Sequence, residues 1–213
     1  MQITRFGHSA VLVDVAGKRI LIDPGAFSDG DVFELEGLDA IVVTHQHVDH
    51  VDPDRIGSLQ SRNPDAECLT DPETAALMNG FRPHTAGDIT EIGLVTITGV
   101  GTMHAEILPT LPRIANTGVM IHATDEPTFF HPGDSYTHAP DRVDVLAAPL
   151  SAPWAKVSET VDFVRRIAPR TVFPIHDAGI APVAYGIYWG HVSNNSGVDD
   201  ARQVGPREAA TLT

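Results

Sequence analysis

The sequence predicts an α/β fold built from two similar halves, and three observations support this prediction. Segments with strand character alternate with helix-like segments in both halves of the chain. The apolar run at residues 38–43 is typical of a strand that is buried on both faces. A shift of 108 positions lays residues 10–25 without a gap on residues 118–133, with matching apolar positions.

This internal match continues beyond the hairpin, because residues 39–43 fall on residues 144–148 at a shift of 105. Few identities support the match, so a chance resemblance between hairpins is the alternative to duplication. If the chain is duplicated, residues 150–154 occupy in the second half the place that residues 45–50 occupy in the first. Duplication therefore predicts that Trp154 lies near the functional site.

The individual elements follow from local signals. Strands are predicted at residues 2–6, 10–15 and 19–22, with a Gly17-Lys18 turn joining the last two into a hairpin. The strand at residues 38–43 comes next and stops where a group of histidines begins.

Three helices are predicted from their ends. Asp52-Pro53 and Asp71-Pro72 each offer a capping carboxylate before a proline at the first helical position. The second helix is expected to run to Asn79, just before a glycine that stops it. The third is expected to begin after Ser158 and must end before Pro169.

Length and composition predict a single domain over residues 1–213, since 42% apolar residues suffice for one substantial core. We expect a soluble, cytoplasmic protein, because neither a secretory signal nor a membrane-spanning run of about eighteen apolar residues is recognisable. The single cysteine, Cys68, excludes an intrachain disulfide and is read as a small buried side chain. A net charge of −14 without a basic cluster disfavours nucleic acid as a partner, although acidity also simply aids solubility.

The strongest functional signal is the segment 44–50, which places three imidazoles and a carboxylate directly after the buried strand. His45 and His47 can point the same way, while Asp49 and His50 turn toward a neighbouring point. One metal ion could not use all four together with ligands from elsewhere in the chain, whereas two adjacent ions could. A solvated histidine-rich loop is the alternative interpretation, and the preceding apolar strand argues against it.

This H-x-H-x-D-H pattern, followed by isolated His, Asp and His at later strand ends, resembles the metallo-β-lactamase superfamily. The later residues are His104, Asp134 and His176, and the match spans residues 1 to about 180. The resemblance implies a four-layer αββα sandwich of two similar βα halves. The opening at residues 7–9 and the strand end at residues 21–24 look like the branch of ascorbate-6-phosphate lactonase-like hydrolases and N-acylethanolamine phospholipase D.

The resemblance also implies the ligands of two divalent metal ions. One ion would bind His45, His47 and His104, the other Asp49, His50 and His176, and Asp134 would bridge them. A histidine at position 47 favours zinc over a redox di-iron centre, with manganese and iron(II) as alternatives. Two such ions about 3.5–4 Å apart would hold a bridging hydroxide that attacks an ester, a lactone or a phosphodiester.

The predicted catalytic group consists of Asp49, Asp134, His8 and Asp23, the last two in supporting positions. Asp23 could accept the ring proton of a metal-bound histidine, or it could only cap the turn that follows it. For His8 the alternative is a satisfied packing histidine, and its position beside Gly7 matches the branch.

Weaker candidates lie in two further loops. His131 is read as a supporting residue or as a surface or turn residue. Tyr136 and His138 are read as groups that bind substrate or protonate a leaving group. Arg113 is read as a solvated side chain, with a substrate anion as its other possible partner.

Together these features predict a binuclear metal-dependent hydrolase of a small molecule. The alternatives are a catalytically silent metal-bearing binding or regulatory module, and a phosphodiesterase acting on nucleic acid or lipid. Nucleic acid is disfavoured because the chain lacks basic patches. Aromatic residues near the C-terminus are compatible with a homo-oligomer.

Overall fold

The computed structural model describes residues 1–205 and 207–212. The strands of the first half are β1 (Gln2–Arg5), β2 (Val11–Val15), β3 (Lys18–Ile22), β4 (Ala40–Val43), β5 (Glu67–Thr70) and β6 (Arg82–Pro83). Those that follow are β7 (Ile89–Ile92), β8 (Val95–Val100), β9 (Gly118–Ala123), β10 (Phe129–His131), β11 (Val145–Pro149), β12 (Thr171–Ile175), β13 (Asp200–Ala201) and β14 (Ala209–Thr211). The helices are α1 (Ile56–Arg62), α2 (Pro72–Leu77), α3 (Val157–Ile167) and α4 (Pro182–Asn195), with a 3₁₀-helix at Gly30–Glu34.

The strands form two mixed sheets, in the orders β14-β1-β2-β3-β4-β5-β6 and β13-β12-β11-β10-β9-β8-β7. Hairpin neighbours such as β2 and β3 are antiparallel, whereas strands joined through longer connections, such as β4 and β5, are parallel. The inner faces of both sheets share one apolar core, which includes Ile22, Val42, Ile121 and Phe173.

Two further apolar clusters cover the outer faces of the sheets. On the first sheet, Leu21 and Ile41 pack with Leu59 of α1 and with the 3₁₀-helix. On the second, Leu146 and residues of α3 and α4 form the corresponding layer. The resulting order of helices, sheet, sheet and helices confirms the predicted four-layer αββα sandwich.

The strand order supports duplication, because β1 to β6 and β8 to β13 follow one another in the same spatial order. The gapless alignment of residues 10–25 with residues 118–133 is wrong, however, beyond the first strand of each hairpin. Val13 pairs with Ile20, whereas Ile121 pairs with Phe129, so the offset changes from 108 to 109 between the two strands. The turn of the second hairpin is therefore one residue longer than that of the first.

Three of the predicted helix ends are wrong. α1 begins at Ile56 and residues 53–55 form a turn, although the Asp52 carboxylate accepts the backbone N–H groups of Asp54 and Arg55 as a helix cap does. α2 ends at Leu77, two residues before the predicted position. α3 begins at Val157, before the predicted start after Ser158.

The remaining helix signals agree with the structure. Asp71 caps α2 by accepting the N–H groups of Glu73 and Thr74, and α3 ends at Ile167, just before Pro169. Within the described ranges, no helix combines the length and the apolar character that crossing a membrane requires.

Candidate metal centre

The predicted site residues all lie at one edge of the two sheets. Asp23 follows β3, the segment 45–50 follows β4, and His176 follows β12. His104 and Asp134 come shortly after β8 and β10. Because the carboxyl ends of neighbouring parallel strands meet at the same edge of a sheet, residues far apart in the chain converge here.

The convergent side chains form two groups whose potential ligand atoms lie within 4.8 Å of one another. One group contains His45, His47, His104 and Asp134, and the other contains His8, Asp49, His50 and His176. Asp134 contacts both groups. Its Oδ2 lies 3.4 Å from His104 Nε2 and 3.1 Å from His176 Nε2, and its Oδ1 lies 3.1 Å from His50 Nε2.

Three of the imidazole rings are oriented by hydrogen bonds at Nδ1. His50 Nδ1 lies 2.6 Å from Asp23 Oδ2, and His104 Nδ1 lies 2.6 Å from its neighbour's carbonyl oxygen. His176 Nδ1 lies 2.7 Å from the carbonyl oxygen of Ser151. In all three rings Nε2 is directed toward Asp134. In the neutral form of each ring, the Nδ1–H donor leaves this Nε2 unprotonated and able to bind a cation.

These inward-facing atoms lack hydrogen-bond partners among the described residues. They are His50 Nε2, His104 Nε2, His176 Nε2 and Asp134 Oδ1, all of them buried. The 3.1 Å approach of His50 Nε2 to Asp134 Oδ1 does not have hydrogen-bond geometry. Because an unsatisfied buried polar group costs about 1–3 kcal/mol, several of them pointing at one place fit the donor set of a metal ion.

His45 and His47 complete the first group. His45 Nε2 lies 3.1 Å from His47 Nδ1, and His45 Nδ1 lies 3.0 Å from Thr44 Oγ1. Two ring nitrogens at that distance can share one proton or bind one cation, so both rings suit the same ion.

Asp23 is fully buried and accepts three hydrogen bonds. Its donors are the Thr44 N–H at 2.7 Å, the Thr44 hydroxyl at 2.8 Å and His50 Nδ1. Asp23 therefore lies where it can fix the tautomer of His50, which is the geometry that a supporting role requires.

His8 contacts the other carboxylate. Its Nδ1 accepts the Ala178 N–H at 3.3 Å, so the ring proton is on Nε2, which donates to Asp49 Oδ2 at 3.0 Å. His8, Asp23 and His176 all have positive φ angles, of 46°, 50° and 54°. Left-handed backbone costs a non-glycine residue about 1–3 kcal/mol, and such strain clusters at functional sites.

The charges of the site keep both carboxylates ionised. Burial alone would raise the pKa of Asp49 and of Asp134, but the facing imidazoles hold the pKa of each well below its usual range. Burial lowers the pKa of His176, yet the negative charges of Asp134 and Asp49 outweigh it and raise this pKa to about 9. Burial dominates at His45, whose pKa is lowered well below its usual value. In the metal-free protein the centre thus combines anionic oxygens, a neutral imidazole at His45 and an imidazole at His176 that carries a proton at neutral pH.

The structure corrects two of the weaker candidates. The Tyr136 hydroxyl donates to the carbonyl of Pro149 at 2.7 Å and contacts Thr160, and burial raises its pKa, so it is not a free proton donor. Arg113 is not a merely solvated side chain, because its guanidinium donates to the carbonyl oxygen of His104.

The two histidines among the weaker candidates, His131 and His138, lie in different environments. His131 is fully buried and bridges the halves: Nε2 donates to the carbonyl of Ser9 at 3.0 Å, while Nδ1 accepts the Gly133 N–H. His131 is therefore neither a surface residue nor part of the two donor groups. His138 is exposed and lies close to Gly101.

Trp154 lies against the centre, as duplication predicts. Its indole N–H donates to Asp134 Oδ2 at 2.8 Å, and its ring is 6.0 Å from that of His104. Sequence reasoning missed Asn116, whose carboxamide accepts the Asp134 N–H at 2.9 Å and donates to the carbonyl of Pro132. No motif marks Asn116, because its role depends on two loops meeting.

Residues 2–176 match the family model of the β-lactamase superfamily domain, and the chain therefore belongs to the β-lactamase superfamily. Within it, the chain is a metal-dependent hydrolase of the metallo-β-lactamase fold. It is 43% identical to protein Rv0786c of Mycobacterium tuberculosis, over 99% of both chains. It is 30% identical to a UPF0173 metal-dependent hydrolase of Methylobacterium nodulans, over 83% of this chain and 84% of that protein.

Solved structures share the fold at low sequence identity. Igni18, a metallo hydrolase of Ignicoccus hospitalis, matches with a TM-score of 0.76 and 21% identity, over 100% of this chain and 98% of that chain. The metallo-β-lactamase fold protein YhfI of Bacillus subtilis matches with a TM-score of 0.76 and 14% identity, over 99% of both chains. Both comparisons concern the fold alone.

Proposed function

We propose that this protein is a binuclear metal-dependent hydrolase that cleaves an ester, lactone or phosphodiester bond of a small molecule. The observation that carries the proposal is the pair of donor groups that meet at Asp134. Each group combines buried imidazole nitrogens with a carboxylate, and the inward-facing atoms have no other partner among the described residues.

The proposed ligands are those that the sequence predicts. His45, His47 and His104 would hold one ion, Asp49, His50 and His176 the other, and Asp134 would lie between them. Nitrogen and oxygen donors without sulfur suit zinc, with manganese and iron(II) as alternatives. When bound, divalent cations would supply Lewis acidity toward a carbonyl or phosphoryl oxygen and would lower the pKa of coordinated water to about 7.

The surrounding residues prepare this donor set. Asp23 holds His50 through Nδ1, and His8 donates its Nε2 proton to Asp49. The indole N–H of Trp154 donates to Asp134. Because Asp49, His50 and Asp134 are each held by a further hydrogen bond, this part of the site is oriented before any cation or substrate enters it.

The test combines metal analysis with turnover. We expect about two metal ions per chain, and hydrolysis of aryl esters or bis-aryl phosphodiesters that is lost on chelation and restored by zinc or manganese. His104→Ala should lower both metal content and turnover. The matched control is His122→Ala, because His122 lies on the exposed face of β9, with its Nδ1 near Thr128.

A fully metal-loaded protein that is inert toward both substrate types would contradict the proposal. It would favour the silent metal-bearing module instead.

A further inference from the structure

A cavity of about 510 Å³ opens beside the metal centre, and Trp154 forms the wall between them. The indole N–H of Trp154 donates to Asp134, while its ring packs edge-on against Tyr136 at 4.8 Å. A molecule in this cavity would therefore lie next to the donor groups and against an aromatic surface.

Arginines without a carboxylate partner line this cavity. Of the 14 lysines and arginines of the chain, nine lie within 4.0 Å of a carboxylate oxygen. Among the described residues, the other five have no such neighbour, and two of them, Arg113 and Arg166, face the cavity. In a chain with a net charge of −14, two uncompensated arginines at one cavity mark it as a place for a negative charge.

Both guanidinium groups are fixed by neutral partners. Arg113 Nε and Nη2 donate to the His104 carbonyl oxygen at 2.9 and 2.5 Å. Arg166 donates to the carbonyl oxygen of Tyr136 and lies over the ring of Phe163. Carbonyl oxygens and rings orient a guanidinium without neutralising it, so further N–H groups and the full charge remain for a ligand.

Three acidic residues also line the cavity, and one of them is paired with a cation outside the lining. Glu159 accepts the backbone N–H of Lys156 at 3.0 Å, and Asp162 lies 3.4 Å from Arg165. Glu106 is the third acid of the lining and has no ion-pair partner among the described residues. Glu159 has none either, since a backbone N–H orients its carboxylate without neutralising it. Both unpaired acids are held apart from the guanidinium groups, which lie more than 4.0 Å from any carboxylate oxygen among the described residues and stay available to a ligand.

We infer that this cavity binds the non-reacting part of the substrate, and that this part carries a carboxylate or a phosphate that Arg113 and Arg166 recognise. The inference rests on the proposed function, because it assumes that the reacting bond lies at the donor groups. Arg113 is the specificity-determining residue, since it is held on the backbone of His104 and thus next to the centre.

One test compares two esters of similar length on the metal-loaded protein. The substrates are 4-nitrophenyl butyrate, which is neutral, and mono-4-nitrophenyl glutarate, which ends in a carboxylate. The measured quantity is kcat/KM for the anionic ester divided by kcat/KM for the neutral ester. We expect this ratio to fall about tenfold in Arg113→Gln and to be partly kept in Arg113→Lys. The ratio should also fall in Arg166→Gln. Arg170→Gln is the matched control, because Arg170 is unpaired among the described residues but does not line the cavity. An unchanged ratio in Arg113→Gln would overturn the inference.

A second test needs no turnover. Calorimetric titration with glutarate and, separately, with propylphosphonate should show saturable binding that weakens about tenfold in Arg113→Gln. The two titrations distinguish a carboxylate from a phosphate. Anion binding that Arg113→Gln leaves unchanged would come from the metal ions and would overturn the inference. If Arg113-dependent binding occurs but no ester is cleaved, the proposed function fails while the anion site stands.

Discussion

Asp23 connects three parts of the candidate site through one buried carboxylate. It receives the backbone N–H and the hydroxyl of Thr44 and the ring proton of His50. An amide has only one oxygen and adds two donors, so it cannot accept all three hydrogen bonds.

We expect Asp23→Asn to weaken metal binding about 10- to 100-fold, because His50 loses the partner that sets its tautomer. Competition against a chromophoric chelator measures this affinity. Asp14→Asn is a suitable control, since Asp14 makes only a partly exposed ion pair with Arg19 at 3.4 Å. Equal affinities of the two variants would remove Asp23 from the site.

Trp154→Phe keeps an aromatic ring at this position but removes the indole N–H that donates to Asp134. We expect about tenfold weaker metal binding, the effect of losing one hydrogen bond to a charged group. Tryptophan emission should respond to metal in the parent and lose that response in the variant. Trp189 is the only other tryptophan and is buried within α4, so Trp189→Phe should keep the response. A response that survives in Trp154→Phe would show that the indole does not sense the centre.

At the scale of elements, the loop after β3 and the loop after β4 are packed backbone to backbone. A Cβ atom placed on Gly25 would lie 1.9 Å from the carbonyl oxygen of Asp49, and Ala26 donates to the carbonyl of Val48 at 2.7 Å. This close approach holds the histidine-rich loop against the edge of the sheet.

Gly25→Ala should therefore lower the free energy of unfolding by about 3 kcal/mol or more, because neither backbone can move without disturbing the ligands. Gly57→Ala is the matched control. Gly57 lies in α1, where an added Cβ would meet nothing within 4 Å, so alanine should raise the free energy of unfolding by about 0.5–1 kcal/mol. Denaturant titration of both variants measures the difference, and similar values would refute the close-packing argument.

At the scale of the whole molecule, the metal-free protein carries imidazoles whose charge depends on pH. Folding raises the pKa of His176 from 6.5 to about 9 and raises that of His50 in the same direction. A raised pKa adds stability that is fully present below pH 6.5 and is lost as the pH rises through about 9.

The chelated protein should therefore lose thermal stability steadily between pH 6.5 and pH 9, by a few kcal/mol at most. Calorimetric melting of the chelated protein across this range measures the effect. His176→Gln should show a shallower decline, because only one of the two raised groups remains. A Tm that stays constant or rises over this interval would contradict the charge arrangement.

The sequence alone determined most of the architecture and the identity of the convergent residues. Strand alternation, the apolar run before His45 and the repeated hairpin depend on local periodicity, which side-chain chemistry dictates directly. Local signals failed at element boundaries. The helix after Asp52 begins only at Ile56 although the capping hydrogen bonds form, and one extra turn residue changes the alignment at His131.

Only the tertiary structure decided which atoms face one another. The contacts of Trp154, Asn116 and Ser151 with the centre join loops from different strands, and Arg113 faces a cavity that no single segment forms. Such contacts depend on the register of the sheets and on the packing of loops at their common edge. These are long-range properties, because the free energy that sets them comes from the shared core and not from the residues beside each ligand in the chain.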